Sequence, residues 1–373
     1  MDPRYRTLAE QLIGYSCTVQ PGETVFIEAV DCPQAFTRAL IRATADHGAH
    51  PLVSLKSQAI LRDLMMVATE EQMRALGEVE AARMRKVQAY IGIRGARNIS
   101  EWSDVPAANM RLYESLYRKP VHLDLRVRNT RWCVLRWPTA SMAQQAAMST
   151  EQFEDFYFDV CTLDYARMSA AMQPLRERMN ATDRVRLIAA DTDLTFSIRD
   201  IPAVPCDGHH NIPDGEVFTA PVRDSIEGTI QFNTRTIYQG VTHDNVRLRF
   251  EKGRIVEATS SQTEHLRRVL ASDEGASYTG EFAIGFNPHI TQPMCDILFD
   301  EKMAGSIHLT PGNAYEEADN GNRSEIHWDM VLRQTPEVGG GELWFDDVLV
   351  RKDGRFVLPE LEALNPESLI RDA

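Results

Sequence analysis

A chain of 373 residues, 43% hydrophobic and 25% charged, can bury a large core and is expected to form two domains. Its formal net charge of −14 argues against nucleic acid as a partner, because phosphate binding needs a positive stripe. No run reaches the roughly 18 apolar residues of a membrane span, and Met1-Asp2-Pro3-Arg4-Tyr5 has no apolar signal region, so a cytoplasmic protein without a membrane partner is expected.

The first half alternates strand and helix signals. Thr24–Val30 is a β-rich run, and Pro33–His47 has helical periodicity that Asp31 can cap. Pro51–Leu55 reads as a strand, Glu70–Lys86 as a charged helix, Ala89–Arg94 as a strand and Ala107–Tyr117 as a helix. Val121–Val127 and Trp132–Trp137 read as further strands. This order implies parallel βαβ units of Rossmann-like type. Neither a GxGxxG nor a P-loop accompanies it, so the pattern is no evidence for a nucleotide. Thr150–Met179 reads as one long helical stretch.

Beyond it the pattern turns to strands: Arg184–Ala190, Leu194–Ile198, Gly228–Tyr238, and Val246–Ser260 with a Lys252-Gly253 hairpin turn. A helix fits Gln262–Leu270, and Gly341–Leu358 reads as a hairpin turned at Asp353-Gly354. The expected organisation is an α/β domain over residues 1–182. An α+β metal-binding domain, with a large and mostly antiparallel sheet, is expected over 183–373. Six scattered cysteines (Cys17, Cys32, Cys133, Cys161, Cys206, Cys295) lack a CxxC and read as free thiols.

The second half also carries the candidate chemistry. Glu216 lies in Pro213-Asp214-Gly215-Glu216-Val217, Glu281 in Gly280-Glu281-Phe282-Ala283-Ile284-Gly285, and His308 in Ser306-Ile307-His308-Leu309. His327 and Asp329 close the set in Ser324-Glu325-Ile326-His327-Trp328-Asp329. Carboxylates and imidazoles suit borderline-to-hard divalent ions, and carboxylates can bridge two of them. On a strand His327 and Asp329 point the same way, with Trp328 opposite. There is no HExxH, and His-x-Asp alone is a weak signal.

The same segments resemble the M29 metallo-aminopeptidases, the thermophilic aminopeptidase S/T family. The likeness runs from Val19-Gln20-Pro21-Gly22-Glu23 through Arg131-Trp132-Cys133-Val134-Leu135-Arg136-Trp137-Pro138 to Arg351-Lys352-Asp353-Gly354. Between them lie Gly215-Glu216-Val217-Phe218-Thr219, Phe299-Asp300-Glu301-Lys302 and Asn322-Arg323-Ser324-Glu325-Ile326-His327-Trp328-Asp329, in the same order. The resemblance implies two divalent ions (zinc, cobalt or manganese) held by Glu216, Glu281, His308, His327 and Asp329. It implies hydrolysis of the N-terminal residue of short peptides through a metal-bound hydroxide, and a homodimer that encloses its active sites. Glu216 or Glu281 would relay the proton, and Tyr315 would donate to the developing oxyanion. Three departures fall beside the site: a short segment from His308 to His327, a longer one from Asp300-Glu301 to His308, and Lys302 where asparagine is frequent.

Several neighbours carry competing readings. Glu301 reads as a structural carboxylate paired with Lys302 or an arginine, ahead of a catalytic helper. His209 and His210 read as a structural or solvated loop pair more than as cleft residues. Asn322 and Arg323 are candidates to orient carboxylates, and Asp191 and Asp193 read as a turn. Tyr315 as a plain packing aromatic is the bland alternative. A second function class also fits: His308, His327 and Asp329 alone could hold iron(II) for ring cleavage of a small aromatic substrate, or the scaffold could serve a hydrolytic deaminase. A non-catalytic binding protein is the third.

Overall fold

The β-branched runs of the first third form a parallel sheet because the helices between them return the chain to the same edge. In this computed structural model, which describes residues 2–370, its five strands run in space as His50–Lys56, Thr24–Val30, Ala89–Arg94, Arg131–Arg136 and Asn211–Ile212. All four pairings are parallel. Thr24–Val30 is buried along nearly its whole length, as an inner strand should be, whereas the edge strand His50–Lys56 is largely exposed. The helix Gln34–Asp46 buries Phe36, Leu40 and Ala43, a stripe at helical spacing.

One expected strand of this region is a helix. Val121–Arg126 ends a wide-turned helical stretch, Glu114–Arg126, that continues Ala107–Tyr113, and Val127 opens the short helix Val127–Asn129. Its β-branched valines mislead, because Tyr117, Val121 and Leu125 recur every four residues and pack with Phe26, Met84 and Tyr90. Pro120 has no amide hydrogen to give, consistent with the widened turn around it. The long stretch Thr150–Met179 is two helices, Thr150–Cys161 and Tyr165–Ala181. The second starts afresh because Asp164 caps it, accepting from the Arg167 amide at 2.9 Å.

By contacts the chain groups into two compact units. One holds the residues up to Thr162 together with Gly208–Ile212, and the other holds Leu163–Asp207 together with the residues from Pro213 onward. The second unit is built on two antiparallel sheets. The larger has eight strands, in spatial order Arg254–Thr259, Arg247–Glu251, Glu227–Gln231, Thr192–Ser197, Arg184–Ala189, Gly341–Phe345, Val348–Lys352 and Arg355–Phe356. The run read as Gly228–Tyr238 therefore divides, and Thr236–Tyr238 instead pairs with Val241–His243. The terminal hairpin is a three-strand meander, since Asp346 and Asp347 take positive φ and add a turn before Asp353-Gly354. The smaller sheet orders Met330–Arg333, Ser306–Pro311, Thr279–Gly285, Glu216–Thr219 and Val204–Cys206, and it carries the candidate chemistry.

Candidate metal centre

Strand register brings the distant candidates together. Across the smaller sheet Gly285 faces Glu216, Ala283 faces His308, and Glu281 faces Thr310. Side chains two apart on a strand share a face, so Glu281, His308 and Glu216 rise from three neighbouring strands on one side. Their cross-strand partners Ala283 and Gly285 are small and leave room above the sheet. Gly285 has a second reason to be glycine. A Cβ there would meet the carbonyl oxygens of Met303 and Glu301 at 2.7 and 2.8 Å. The missing side chain lets segment 301–303 lie against the strand, which puts Glu301 and Lys302 at the site.

His327 and Asp329 lie on the extended lead-in to Met330–Arg333, with a single bridge from His327 to Gly312. They still share a face, with His327 Nε2 3.2 Å from Asp329 Oδ1. Trp328 points away and stacks on Tyr238 at 4.5 Å. The imidazoles knit the carboxylates together. His308 Nε2 lies 3.1 Å from Glu281 Oε1, and its Nδ1 lies 3.5 Å from Glu216 Oε2. His327 Nε2 lies 3.3 Å from Glu281 Oε2. His327 Nδ1 sits 2.9 Å from the Asn313 carbonyl, which orients the ring, and Thr310 Oγ1 donates to Asp329 at 2.6 Å.

Two ligand sets emerge. Glu216, Glu281 and His308 offer atoms within 4.8 Å of one another, and so do Glu281, His327 and Asp329. Glu281 belongs to both. A further set, Glu301 with His308 and Asp329, meets the same limit, so Glu301 stands in the cluster while pairing with Lys302 as expected. In these three sets the donors fit divalent ions: nitrogen and oxygen atoms only, on buried or half-buried side chains; a fourth group, Cys206, Asp214 and Glu216, meets the same limit but shares only Glu216 with them. Glu216 Oε2 and Glu281 Oε2 are buried and accept no hydrogen bond of proper geometry among the described residues, so each has a lone pair to offer a cation.

The proton balance agrees. Burial would lower His308, but Glu216 and Glu281 outweigh it and hold the ring at about 10. Burial likewise opposes the shift of His327, which Asp329 and Glu281 push up to about 12. Asp329 is held well below the usual carboxylate range by His327 in spite of burial. Burial raises Glu216 to about 8 against the pull of Lys302, and it raises Glu301 as well. In the ion-free cluster, extra protons on two imidazoles balance the carboxylates, and a bound cation would displace them.

Of the remaining candidates, Tyr315 borders the site. Its ring centroid lies 4.8 Å from that of His327 and packs edge-on to Phe218. Tyr315 is 46% exposed as a residue, yet desolvation where its hydroxyl meets the cluster, with the carboxylates Glu281 and Asp329, holds that hydroxyl protonated, well above its ordinary value. Asn322 is buried and donates to the carbonyls of Gly275 and Gly312, fixing the loop that leads to His327. Arg323 pairs with Asp319 at the surface. Asp193 pairs with Arg186 and Asp191 takes a positive-φ turn. His210 packs on Trp132 and His209 on Tyr15, outside the cluster. Lys302, expected only as a departure beside the site and a partner for Glu301, stands inside the cluster against Glu216 as well. A cavity of about 70 Å³, lined by Ile237, Ile297, Asp300 and Val331 among others, opens beside Asp329. A larger one of about 620 Å³, along Arg254–Ala258 and Arg267–Tyr278, contains none of the site residues.

The chain matches the family model described as thermophilic metalloprotease (M29) over residues 1–356. Aminopeptidase 2 of Geobacillus stearothermophilus is 25% identical over 410 aligned positions that span 93% of this chain and 94% of that protein. Aminopeptidase T of Thermus thermophilus is 34% identical over 139 positions, which span 33% of this chain and 34% of its own length. Among solved structures, AmpT from Thermus thermophilus superposes with a TM-score of 0.75 at 23% identity, covering 95% of this chain and 99% of that one. The 2,5-dihydroxypyridine dioxygenase from Pseudomonas putida KT2440 superposes at 0.66 and 14% identity, covering 97% and 99%. At such identities both structures attest the fold alone, which in this chain comprises a parallel α/β sheet and large antiparallel sheets. The family match across nearly the whole sequence decides the assignment: the chain belongs to the thermophilic metalloprotease (M29) family.

Proposed function

We propose that the chain is a two-metal aminopeptidase that removes the N-terminal residue of short peptides. The observation that carries this reading is the double membership of Glu281, which stands in both ligand sets and so suits a carboxylate bridging two ions. One ion would be held by Glu216, Glu281 and His308, and the other by Glu281, His327 and Asp329. Zinc, cobalt and manganese all match these donors. Ions bound there would acidify a water and polarise the scissile carbonyl.

The protein's own groups do the rest. In this scheme two carboxylates are committed, Glu281 to the two ions and Glu216 to one ion and to Lys302. That leaves Glu301, beside His308, to take a proton from the attacking water and return it to the departing amine. Tyr315, protonated and with its ring tilted against His327, would donate to the oxyanion. A homodimer enclosing the site would admit short peptides and exclude folded proteins. A cytoplasmic setting fits cysteines that form no disulfide among the described residues, and no helix among those residues is long and apolar enough to cross a membrane.

The test is a fluorogenic panel in free and N-acetylated forms. Turnover of the free-amine substrates alone supports an aminopeptidase. Equal turnover of blocked substrates, or ring cleavage with oxygen uptake and no peptide turnover, would refute it.

A further inference from the structure

Lys302 is 2% exposed, and its ammonium sits among three carboxylates. Nζ lies 3.0 Å from Glu216 Oε1 and 3.9 Å from Asp214 Oδ1, and it also contacts Glu301. The backbone pins it, since the Asn287 amide donates to the Lys302 carbonyl at 2.8 Å. A buried ammonium needs such company, because desolvation otherwise strips its proton. Glu216 therefore gives one oxygen to Lys302 and keeps only Oε2, on the His308 side, for anything else. The other ligand set differs. Among the described residues Glu281 and Asp329 form ion pairs with His308 and His327 and with no lysine or arginine.

We infer that Lys302 is a resident cation that makes the two metal positions unequal. The ion at Glu281, His327 and Asp329 binds tightly. The ion at Glu216, Glu281 and His308 binds weakly and exchanges, because it shares Glu216 with an ammonium and is repelled by it at close range. Lys302 is thus a positioning residue for Glu216 that sets the free-metal concentration at which the second ion enters. This rests on the two-metal reading. It adds that the enzyme passes through a one-ion state whose filling Lys302 controls.

The test is a cobalt(II) titration of the metal-free full-length protein, read by equilibrium dialysis and visible absorption, for wild type and Lys302→Met. The methionine keeps most of the volume and removes the charge. Wild type is expected to fill in two steps separated by about 100-fold in affinity, and Lys302→Met to narrow the gap below about 10-fold by tightening the second step alone. One ion in wild type and two in Lys302→Met would also support the inference, as a gap too wide to titrate. Two equal steps in wild type, or an unchanged gap in the variant, would overturn it and leave the two-metal reading standing. Saturation at one ion in both proteins would overturn both. If Lys302→Met does not fold, Glu301→Gln takes its place. Releasing Lys302 from Glu301 strengthens its hold on Glu216, so the gap should widen, and an unchanged gap would count against the inference.

Discussion

Asp329→Asn is a sharp perturbation because it changes one charge and almost no volume. Asparagine can still accept from Thr310 Oγ1, which donates at 2.6 Å to Asp329, so the local backbone has no cause to move. What is lost is a carboxylate 3.2 Å from His327 Nε2 and within the same ligand set as Glu281. Removing even an outer partner of a metal ligand costs about 10–100-fold in affinity or activity, so losing a ligand should exceed 100-fold, or about 2.8 kcal/mol. Stability of the metal-free protein should fall less, by about 1–3 kcal/mol, because His327 can shed its extra proton once its partner is neutral. The assay is metal per chain by plasma mass spectrometry, with turnover and a melting curve on the same sample. Full activity with two ions bound would refute the assignment of Asp329 as a ligand.

His327→Ala should behave alike, with turnover abolished, metal occupancy lowered and the fold retained by circular dichroism. Tyr315→Phe removes a donor and no ligand, so metal content should hold while kcat falls by about 10²–10³; unchanged turnover would make Tyr315 a packing residue. The metal-free protein should lose stability as pH rises, from about 4.5 to 8 through Glu216 and from about 6.5 to 10 through His308. His308 is raised to about 10 and Glu216 to about 8, so their protonated forms favour the folded state below the ordinary values and that favour is lost as pH climbs through the raised ones. The slope is at most about 1.4 kcal/mol per pH unit for each group, and bound metal should flatten it; a melting temperature insensitive to pH without metal would contradict the proton balance. Light scattering at low protein concentration should give a dimer, and a fully active monomer would remove the enclosed-chamber reading.

The parallel sheet was legible because its strands are short apolar runs bounded by turn residues, and Thr24–Val30 and Ala89–Arg94 appear with the limits read from sequence. Val121–Val127 was not, because local β preference conflicts with a four-residue burial stripe that only packing reveals. The break after Cys161 was legible in principle, since Asp164 is a strong cap inside a helical run. At the site, the five candidate ligands could be named from ordered motifs, but which of them share an ion depends on register between strands far apart in sequence. Glu301 and Lys302 were the harder cases. Their place in the cluster depends on a bare glycine at position 285 and on pairing with Glu216 from 86 residues away.

The most direct measurement is metal content against turnover: purify the protein without oxygen, strip it, and add back one divalent metal in steps while following hydrolysis of an unblocked aminoacyl substrate. The account predicts that activity rises as the second ion per chain enters and is maximal at two. Full activity at one ion, or a single iron with oxygen consumption and no hydrolysis, would contradict it.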